Sequence, residues 1–142
     1  MFTIGYEGHD IDSFISHLKD LNITRLIDVR EIPISRKKGF SKSQLKEKAE
    51  AKCIKYIHIK SLGSPSRIRH QLKEDHNYNR FFSAYLKHIE ANFDAIIKAY
   101  DYIQEGIACL MCYERIPDRC HRSTIANKIK EYDGNSLNII HV

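Results

Sequence analysis

The sequence contains few cysteines and no long apolar run, and these absences exclude two classes of protein. Its four cysteines are too few and too unevenly spaced for a small disulfide-stabilised scaffold, so we expect reduced thiols. They are Cys53, Cys109, Cys112 and Cys120. No apolar run approaches the roughly 18 residues that a membrane-spanning helix needs. Residues 1–5 lack the basic region and apolar stretch of a signal peptide, and we therefore expect a cytoplasmic protein.

The composition is typical of one globular domain that covers residues 1–142. Of the 142 residues, 42% are hydrophobic and 29% are charged, and there is no internal repeat, low-complexity tract or linker. The formal net charge of +5 favours an anionic partner, such as a nucleic acid, a nucleotide or another phosphate compound. A solvated basic surface without such a partner explains the same charge, and both interpretations stay open at this point.

Short apolar segments alternate with helical patterns along the chain. The predicted strands are residues 2–4, 26–29, 54–59, 107–112 and 137–142. The predicted helices are residues 11–18, 41–51, 78–104 and 121–132, of which the third is one long helix or two consecutive ones. This alternation predicts an α/β fold with a mostly parallel five-stranded sheet and helices on both faces.

Capping signals mark the ends of the predicted helices. Asp10 or Asp12 is suited to cap the first helix. Ser41 and Gln44 resemble a capping box that opens the second helix, and Gly106 is expected to end the third. Residues 31–40 and 60–77 show no such pattern and are predicted to be irregular, basic loops of the same domain.

Reactive and charged side chains follow three of the predicted strands where each strand ends. In open parallel sheets, ligands bind beyond the carboxyl ends of the strands, where helix N-termini converge. We therefore expect the functional site to be formed by residues 6–8, 28–30 and 112–122.

The turns after the first two strands each allow a functional and a structural interpretation. Gly5 and Gly8 let backbone amides approach a ligand, although a tight turn requires the same glycines. Tyr6 lies between them and can donate a hydrogen bond or stack on a base. Asp28 and Arg30 point to the same side of their strand, as a site pair or as a salt bridge at its end.

The segment from Cys112 to Ser123 carries the most chemistry. A strand ends at Cys112, a loop carries Glu114, and a helix begins near Cys120. Free amides at a helix start and neighbouring cations are suited to bind an anion. The expected anion-binding residues are Gly8, Arg30, Arg119, Cys120, His121, Arg122 and Ser123. A thiol there is expected to have a lowered pKa and to be nucleophilic; the alternative is a loop closed by internal salt bridges, with Cys112 in the core.

Two cysteines have the spacing of zinc ligands, and Cys120 and His121 follow at a plausible distance. Cys109 and Cys112, however, lie three residues apart on one predicted strand and face opposite sides of the sheet. We therefore expect no metal site, and no motif in the sequence calls for a cofactor.

Several motifs are distributed over nearly the whole chain. They are Thr3-Ile4-Gly5-Tyr6-Glu7-Gly8, Leu26-Ile27-Asp28-Val29-Arg30 with Pro33 and Ser35-Arg36, Leu62-Gly63, Leu110-Met111-Cys112-Tyr113-Glu114-Arg115, and Cys120-His121-Arg122-Ser123. Together they resemble the family catalogued as domain of unknown function 488. The resemblance implies a single Rossmann-like domain with a shared site around Cys112, Glu114 and the Cys-His-Arg motif, and it implies no particular activity.

A more distant likeness is to the rhodaneses, which are sulfurtransferases. They share a Leu-Ile-Asp-Val-Arg stretch and a strand that ends in a nucleophilic cysteine before a helix rich in arginine and serine. Here the loop after Cys112 is longer and contains Pro117. Glu114 and Asp118 would raise the pKa of the thiol unless the arginines of that loop offset them.

These observations lead to one main hypothesis and two alternatives. The main hypothesis is an enzyme that hydrolyses or transfers at an N-glycosidic or phosphate bond of a nucleotide or nucleic acid. Glu114 would act as base or nucleophile, Asp28 as a second carboxyl group, and Tyr6 would position the base or sugar. The residues expected to follow a nucleic-acid backbone are Arg36, Lys37, Lys38, Arg67 and Arg69. The alternatives are a rhodanese-like thiol enzyme that uses Cys112, and a non-catalytic nucleotide or nucleic-acid binding module.

Overall fold

Five parallel strands form the central sheet of the protein, which is described here by a computed structural model of residues 1–142. The strands are β1 (Phe2–Gly5), β2 (Arg25–Asp28), β3 (Lys55–His58), β4 (Ala108–Cys112) and β5 (Ile140–His141). Their order across the sheet is β3-β2-β4-β1-β5, and every neighbouring pair is parallel. The predicted α/β fold with a parallel five-stranded sheet is confirmed, and the architecture is Rossmann-like.

Six α-helices connect and cover the strands. They are α1 (Ile11–Asp20), α2 (Lys42–Glu50), α3 (Ser66–Asp75), α4 (Tyr78–Ala91), α5 (Phe93–Gln104) and α6 (His121–Tyr132). None of these helices combines the length and the apolar character needed to cross a membrane.

Two separate apolar clusters lie on the two faces of the sheet. One contains Phe14 of α1 and Leu45 of α2. The other contains Ile89, Ile96 and Ile125, from α4, α5 and α6. Because side chains alternate along a strand, β4 contributes to both clusters, and this places helices on both faces as predicted.

The prediction that residues 60–77 are irregular is wrong. They contain a 3₁₀ turn at Lys60–Leu62 and the ten-residue helix α3. Ile68 is the only fully buried residue of α3, so its sequence lacks the apolar stripe that identifies a helix. The closing strand is also shorter than predicted, since β5 covers only Ile140–His141.

The region predicted as one or two helices is two helices. Asn92 separates α4 from α5 with φ −123° and ψ 37°, and its side-chain amide donates to the carbonyl oxygen of His88 at 2.8 Å. Asp10 is the cap of α1, because its carboxylate accepts from the amides of Asp12 and Ser13 at 3.0 and 2.9 Å.

The predicted capping box at Ser41 does not form. Its hydroxyl accepts from the amide of Ser35 at 3.1 Å, and Gln44 accepts from the amide of Gly39 at 3.2 Å. Both side chains hold the loop of residues 31–40 against α2. Ser41 and Gln44 therefore do form hydrogen bonds at the start of this helix, but with loop amides and not with each other's backbone.

The carboxyl ends of β1, β2 and β4 lie side by side. Gly5 pairs with Cys112, and Asp28 pairs with Met111. The contact continues beyond the strands, because the amide of Tyr6 donates to the carbonyl oxygen of Cys112 at 3.1 Å. The three motif-bearing segments therefore leave the sheet at one edge.

Candidate functional site

The loop after β4 is held tightly against the end of β1. The amide of Glu7 donates to the carbonyl oxygen of Tyr113 at 2.9 Å, and the Glu7 carboxylate accepts from the amide of Arg115 at 3.0 Å. A methyl group on Gly5 would overlap the carbonyl group of Glu114. Glycine is therefore needed at position 5 for close backbone approach, and not for a positive φ.

Arg122 supports the same loop from inside the protein. Its side chain is 0% exposed, and its guanidinium donates to the carbonyl oxygens of Glu114 and Arg115, the second at 2.9 Å. A third contact joins Nε to the Thr3 hydroxyl at 3.4 Å. Arg122 was expected to bind an anion, and in this structure its donors are directed to the loop backbone.

Asp28 and Arg30 form a buried ion pair at the end of β2. Arg30 Nη2 lies 2.6 Å from Asp28 Oδ2, and Arg30 Nε lies 2.9 Å from Oδ1. The Tyr56 hydroxyl donates to Oδ2 at 2.6 Å, and the Arg30 amide donates to Oδ1 at 3.1 Å. Four donors thus surround a fully buried carboxylate. Burial and the Asp28 charge raise the pKa of Tyr56, which keeps its hydroxyl protonated as a donor.

The remaining donors of Arg30 hold the basic loop of residues 31–40. Arg30 Nη1 donates to the carbonyl oxygen of Phe40 at 2.8 Å and to the Tyr6 hydroxyl at 3.1 Å. The buried Tyr6 ring stacks on Phe40 with 4.4 Å between centroids, and the Tyr6 hydroxyl donates to Ser35 Oγ at 3.2 Å. Lys37 donates to the Tyr6 carbonyl oxygen at 3.4 Å. Tyr6, Asp28 and Arg30 therefore meet, as expected, in one connected network.

Cys112, Cys120 and His121 form a second, buried group at the same edge. The Cys112 sulfur lies 3.8 Å from His121 Nδ1 and 3.9 Å from Nε2. His121 Nε2 donates to the carbonyl oxygen of Val29 at 2.9 Å, and its ring packs edge-on against Tyr85 at 5.2 Å between centroids. The end of β4 at Cys112 and the start of α6 at His121, nine positions apart in sequence, are thus brought together, and Cys120 is the residue that precedes α6.

The two thiols of this group differ in their acidity. A hydrogen bond to Cys120 and burial raise the pKa of Cys112. Burial opposes ionisation of Cys120 as well, but the bond from Cys112 and the charges of His121 and Arg122 lower its pKa. The lowered pKa expected for a thiol in this segment falls on Cys120, and Cys112 is only 6% exposed.

Glu114 lies in the exposed loop above this group. Its carboxylate forms no ion pair and accepts no hydrogen bond, in contrast with Asp28. Burial of the carboxyl group, with Cys120 and Glu7 nearby, raises the pKa of Glu114, while Arg122 and His121 act in the opposite direction. Asp28 and Glu114 therefore have different surroundings, one saturated with donors and one without a partner.

Cations without acidic partners lie in the loop of Glu114 and in the basic loop of residues 31–40. Arg115 and Arg119 lie in the same exposed loop, and Arg36 and Lys38 are exposed in the loop that Arg30 holds. None of these four forms a salt bridge. The two loops meet near His9, whose pKa is lowered by burial and by nearby charges, including those of Lys37 and Arg115.

The other predicted site residues lie apart from this centre or have local partners. Gly8 is exposed with φ +88°, and the Ser123 hydroxyl donates to the carbonyl oxygen of Cys120 at 2.8 Å. Arg69 pairs with Glu31 at 2.9 Å and holds the start of α3, whereas Arg67 is exposed on that helix. Arg69 is thus engaged within the protein, and Arg67 is the exposed cation of the two.

Sequence reasoning missed Tyr56 and Tyr85 as members of this edge, and it included Glu7 in residues 6–8 without giving its carboxylate a role. Glu7 lies in the motif Thr3–Gly8, but the contact of its carboxylate with the Arg115 amide depends on the path of a loop 108 positions away. Tyr56 lies within an apolar strand, and the hydroxyl of a buried tyrosine needs a hydrogen-bond partner. This requirement is the one signal in the sequence that could have indicated its contact with Asp28. Tyr85 lies on α4 and is buried; nothing in its helical pattern distinguishes it from other apolar positions.

Comparison with known protein families tests whether the chain belongs to the family that its motifs resemble. The family described as domain of unknown function DUF488 matches residues 10–129. The chain belongs to the DUF488 family. No curated protein and no solved structure matches the chain. The DUF488 match includes the Asp28–Arg30 pair and the Cys112–Arg122 segment, while Gly5, Tyr6 and Glu7 precede it. DUF488 membership assigns no reaction to this site.

Proposed function

We propose that this DUF488 protein is an enzyme that hydrolyses or transfers at an N-glycosidic or phosphate bond of a nucleotide or nucleic acid. The observation that carries the proposal is the unpaired carboxylate of Glu114 at the carboxyl edge of a parallel sheet. Ligands of open α/β sheets bind at this edge. A carboxylate that is free of internal partners is available to accept or donate a proton in a reaction.

The exposed cations in the loop of Glu114 support an anionic substrate. Arg115 and Arg119 both follow Glu114 in this loop, and both are exposed without an acidic partner. Guanidinium groups bind phosphate oxygens in a two-pronged geometry. A substrate that carries phosphate would therefore be held next to the group that acts on it.

Tyr113 supports recognition of a base or sugar. Its ring is 44% exposed and packs edge-on against Tyr6 with 5.3 Å between centroids. An exposed ring fixed at its edge offers a face on which a base can stack. Tyr6 itself is buried, so in this proposal it positions Tyr113 and the basic loop.

Asp28, Arg30 and Arg122 act as positioning residues in this proposal. Their charged groups are already satisfied by protein partners. They support the two loops that carry the exposed groups, and the chemistry is assigned to Glu114.

Changing Glu114 to glutamine tests this role. We expect Glu114→Gln to reduce turnover by about 100-fold or more, since the amide cannot act as a general acid or base, while substrate binding persists. The matched control is Asp118→Asn, which removes an exposed carboxylate from the same loop and is expected to leave turnover unchanged. The measurement is release of free base or phosphate from nucleosides, nucleotides and oligonucleotides. Absence of release by the wild-type protein from every substrate would contradict the proposal.

The salt dependence of binding tests whether the substrate is polymeric. Phosphate contacts release counterions, so affinity for an oligonucleotide should fall steeply with rising salt. Lys38→Glu should weaken binding for all sequences alike and reduce the slope of log affinity against log salt by about 1. Lys19→Glu, at the exposed C-terminal turn of α1, makes the same charge change away from the carboxyl edge and serves as the control. Equal effects of the two variants would show that net charge, and not this loop, determines binding.

The two alternatives make different predictions in the same assays. A rhodanese-like enzyme needs a thiolate at Cys112, and the raised pKa and burial of this thiol weigh against it. A persulfide on Cys112 after incubation with thiosulfate would favour that alternative. A non-catalytic binding module would bind nucleotide in both the wild type and Glu114→Gln, with turnover in neither.

A further inference from the structure

We propose that Cys112, Cys120 and His121 form a binding site for a transition-metal ion, with Zn²⁺ as the expected occupant. The site joins the end of β4 to the start of α6. The inference concerns metal binding itself and does not depend on the reaction proposed above.

The separations of the three side chains suit tetrahedral coordination. Their sulfur and nitrogen ligand atoms all lie within 4.8 Å of one another. The Cys112 sulfur is 3.8 Å from His121 Nδ1. Zinc bonds of about 2.3 Å to sulfur and about 2.0 Å to nitrogen place two tetrahedral ligands roughly 3.5 Å apart. A small inward movement of these side chains would therefore bring all three atoms onto one ion.

The tautomer of His121 suits a metal ligand. A carbonyl oxygen only accepts hydrogen bonds, so the 2.9 Å contact with Val29 requires a proton on Nε2. In the neutral imidazole this leaves the lone pair on Nδ1, on the atom 3.8 Å from the Cys112 sulfur. A backbone carbonyl that fixes the tautomer of a histidine in this way is a common partner of metal-binding histidines.

The ligand types and their burial select the kind of ion. Two sulfurs and one imidazole are soft or borderline donors, which favour zinc over magnesium or calcium. On binding, Zn²⁺ replaces the two thiol protons, which are released to solvent. Two thiolates, a neutral imidazole and Zn²⁺ sum to zero charge, so the buried site carries no net charge.

The expectation of no metal site rested on a different pair of cysteines. Cys109 and Cys112 belong to opposite apolar clusters, as predicted, and do not share an ion. Cys112 instead meets Cys120 and His121, which the loop of residues 113–119 returns to the same face of the sheet. Three protein ligands leave the fourth tetrahedral position for water or another small ligand.

Metal content and cobalt spectroscopy test the site. The full chain should be purified reduced, without a histidine tag, and its zinc content measured per chain. We expect one zinc per chain. After removal of zinc by a chelator, Co²⁺ should produce the visible bands of a tetrahedral ion and near-ultraviolet thiolate-to-cobalt bands. Absence of stoichiometric binding of either metal by the reduced wild-type protein would overturn the proposal, whatever the variants do.

Alanine variants on the two faces of β4 provide the matched comparison. Cys112→Ala and Cys120→Ala should each lose the cobalt spectrum, whereas Cys109→Ala, on the same strand but the opposite face, should keep it. His121→Gln keeps both thiols, so its loss of the spectrum would show that the imidazole is a ligand. Circular dichroism of each variant identifies any that fails to fold. Full metal binding by a folded Cys120→Ala protein, or its loss in folded Cys109→Ala, would also overturn the assignment.

Discussion

Replacing Arg30 by methionine is expected to lower the free energy of unfolding by about 3–5 kcal/mol. The substitution leaves Asp28 charged and fully buried, without the guanidinium that supplies two of its donors. Tyr56 and one backbone amide remain, but they do not neutralise the charge. The loop that contains Phe40 also loses its bond to Arg30. Urea unfolding followed by circular dichroism measures the change.

Two companion variants separate the cost of a buried charge from other effects. Arg25→Met breaks the partly exposed pair with Glu105 and should cost no more than about 1 kcal/mol. The double variant Arg30→Met/Asp28→Leu removes both charges and should recover much of the lost stability, since an apolar pair avoids the desolvation cost. Equal losses in Arg30→Met and Arg25→Met would show that the Asp28 charge is not carried in the folded protein.

Substituting alanine for Gly5 is the second change with a large expected effect. The added methyl group would overlap the Glu114 carbonyl, so the backbone of the loop after β4 must move. Forced backbone shifts in a packed interior cost about 1–3 kcal/mol. The displaced loop carries Glu114, so turnover should fall along with stability. Thermal unfolding of Gly5→Ala measures the loss of stability. The base-release assay described for Glu114→Gln, applied to Gly5→Ala, measures the loss of turnover.

Gly134→Ala is the matched control for this substitution. Gly134 has φ +71° with nothing within 4 Å of the added carbon, so alanine there incurs only the backbone cost of a positive φ, about 1 kcal/mol. It should not affect turnover, because it lies in the turn after α6. If Gly5→Ala kept full activity and lost no more stability than Gly134→Ala, close packing of β1 against the loop would not be a requirement of the site.

The strands were predictable from sequence because each buried parallel strand is a short, nearly continuous apolar run. Helix α3 was missed because it buries only one residue fully and is otherwise charged and polar. Ser41 and Gln44 show a different limit. Their spacing in the sequence identified them as capping residues. In the structure their side-chain oxygens accept hydrogen bonds from the amides of Ser35 and Gly39 instead of from the first turn of the helix.

The meeting of the three motif-bearing segments at one edge was predictable, and the partners of their side chains were not. Parallel strands carry their carboxyl ends to one edge, which brought Tyr6, Asp28 and Cys112 together as expected. The alternation of side chains along an extended backbone placed Asp28 and Arg30 on one side. It did not decide whether they form a functional pair or a salt bridge; in the structure they form a salt bridge. The contact of Cys112 with His121 depends on the course of the eight-residue connection 113–120, which no periodicity in the sequence specifies.

The Arg122 contacts with the Glu114 and Arg115 carbonyl oxygens have a thermodynamic consequence for ligand binding. Folding of α6 against the sheet already orders the loop that carries Glu114. The conformational entropy of that loop is therefore lost during folding and not at the moment of association, which is the general advantage of a preorganised site. Substrate binding at Glu114, as proposed, should then proceed with little change in loop conformation.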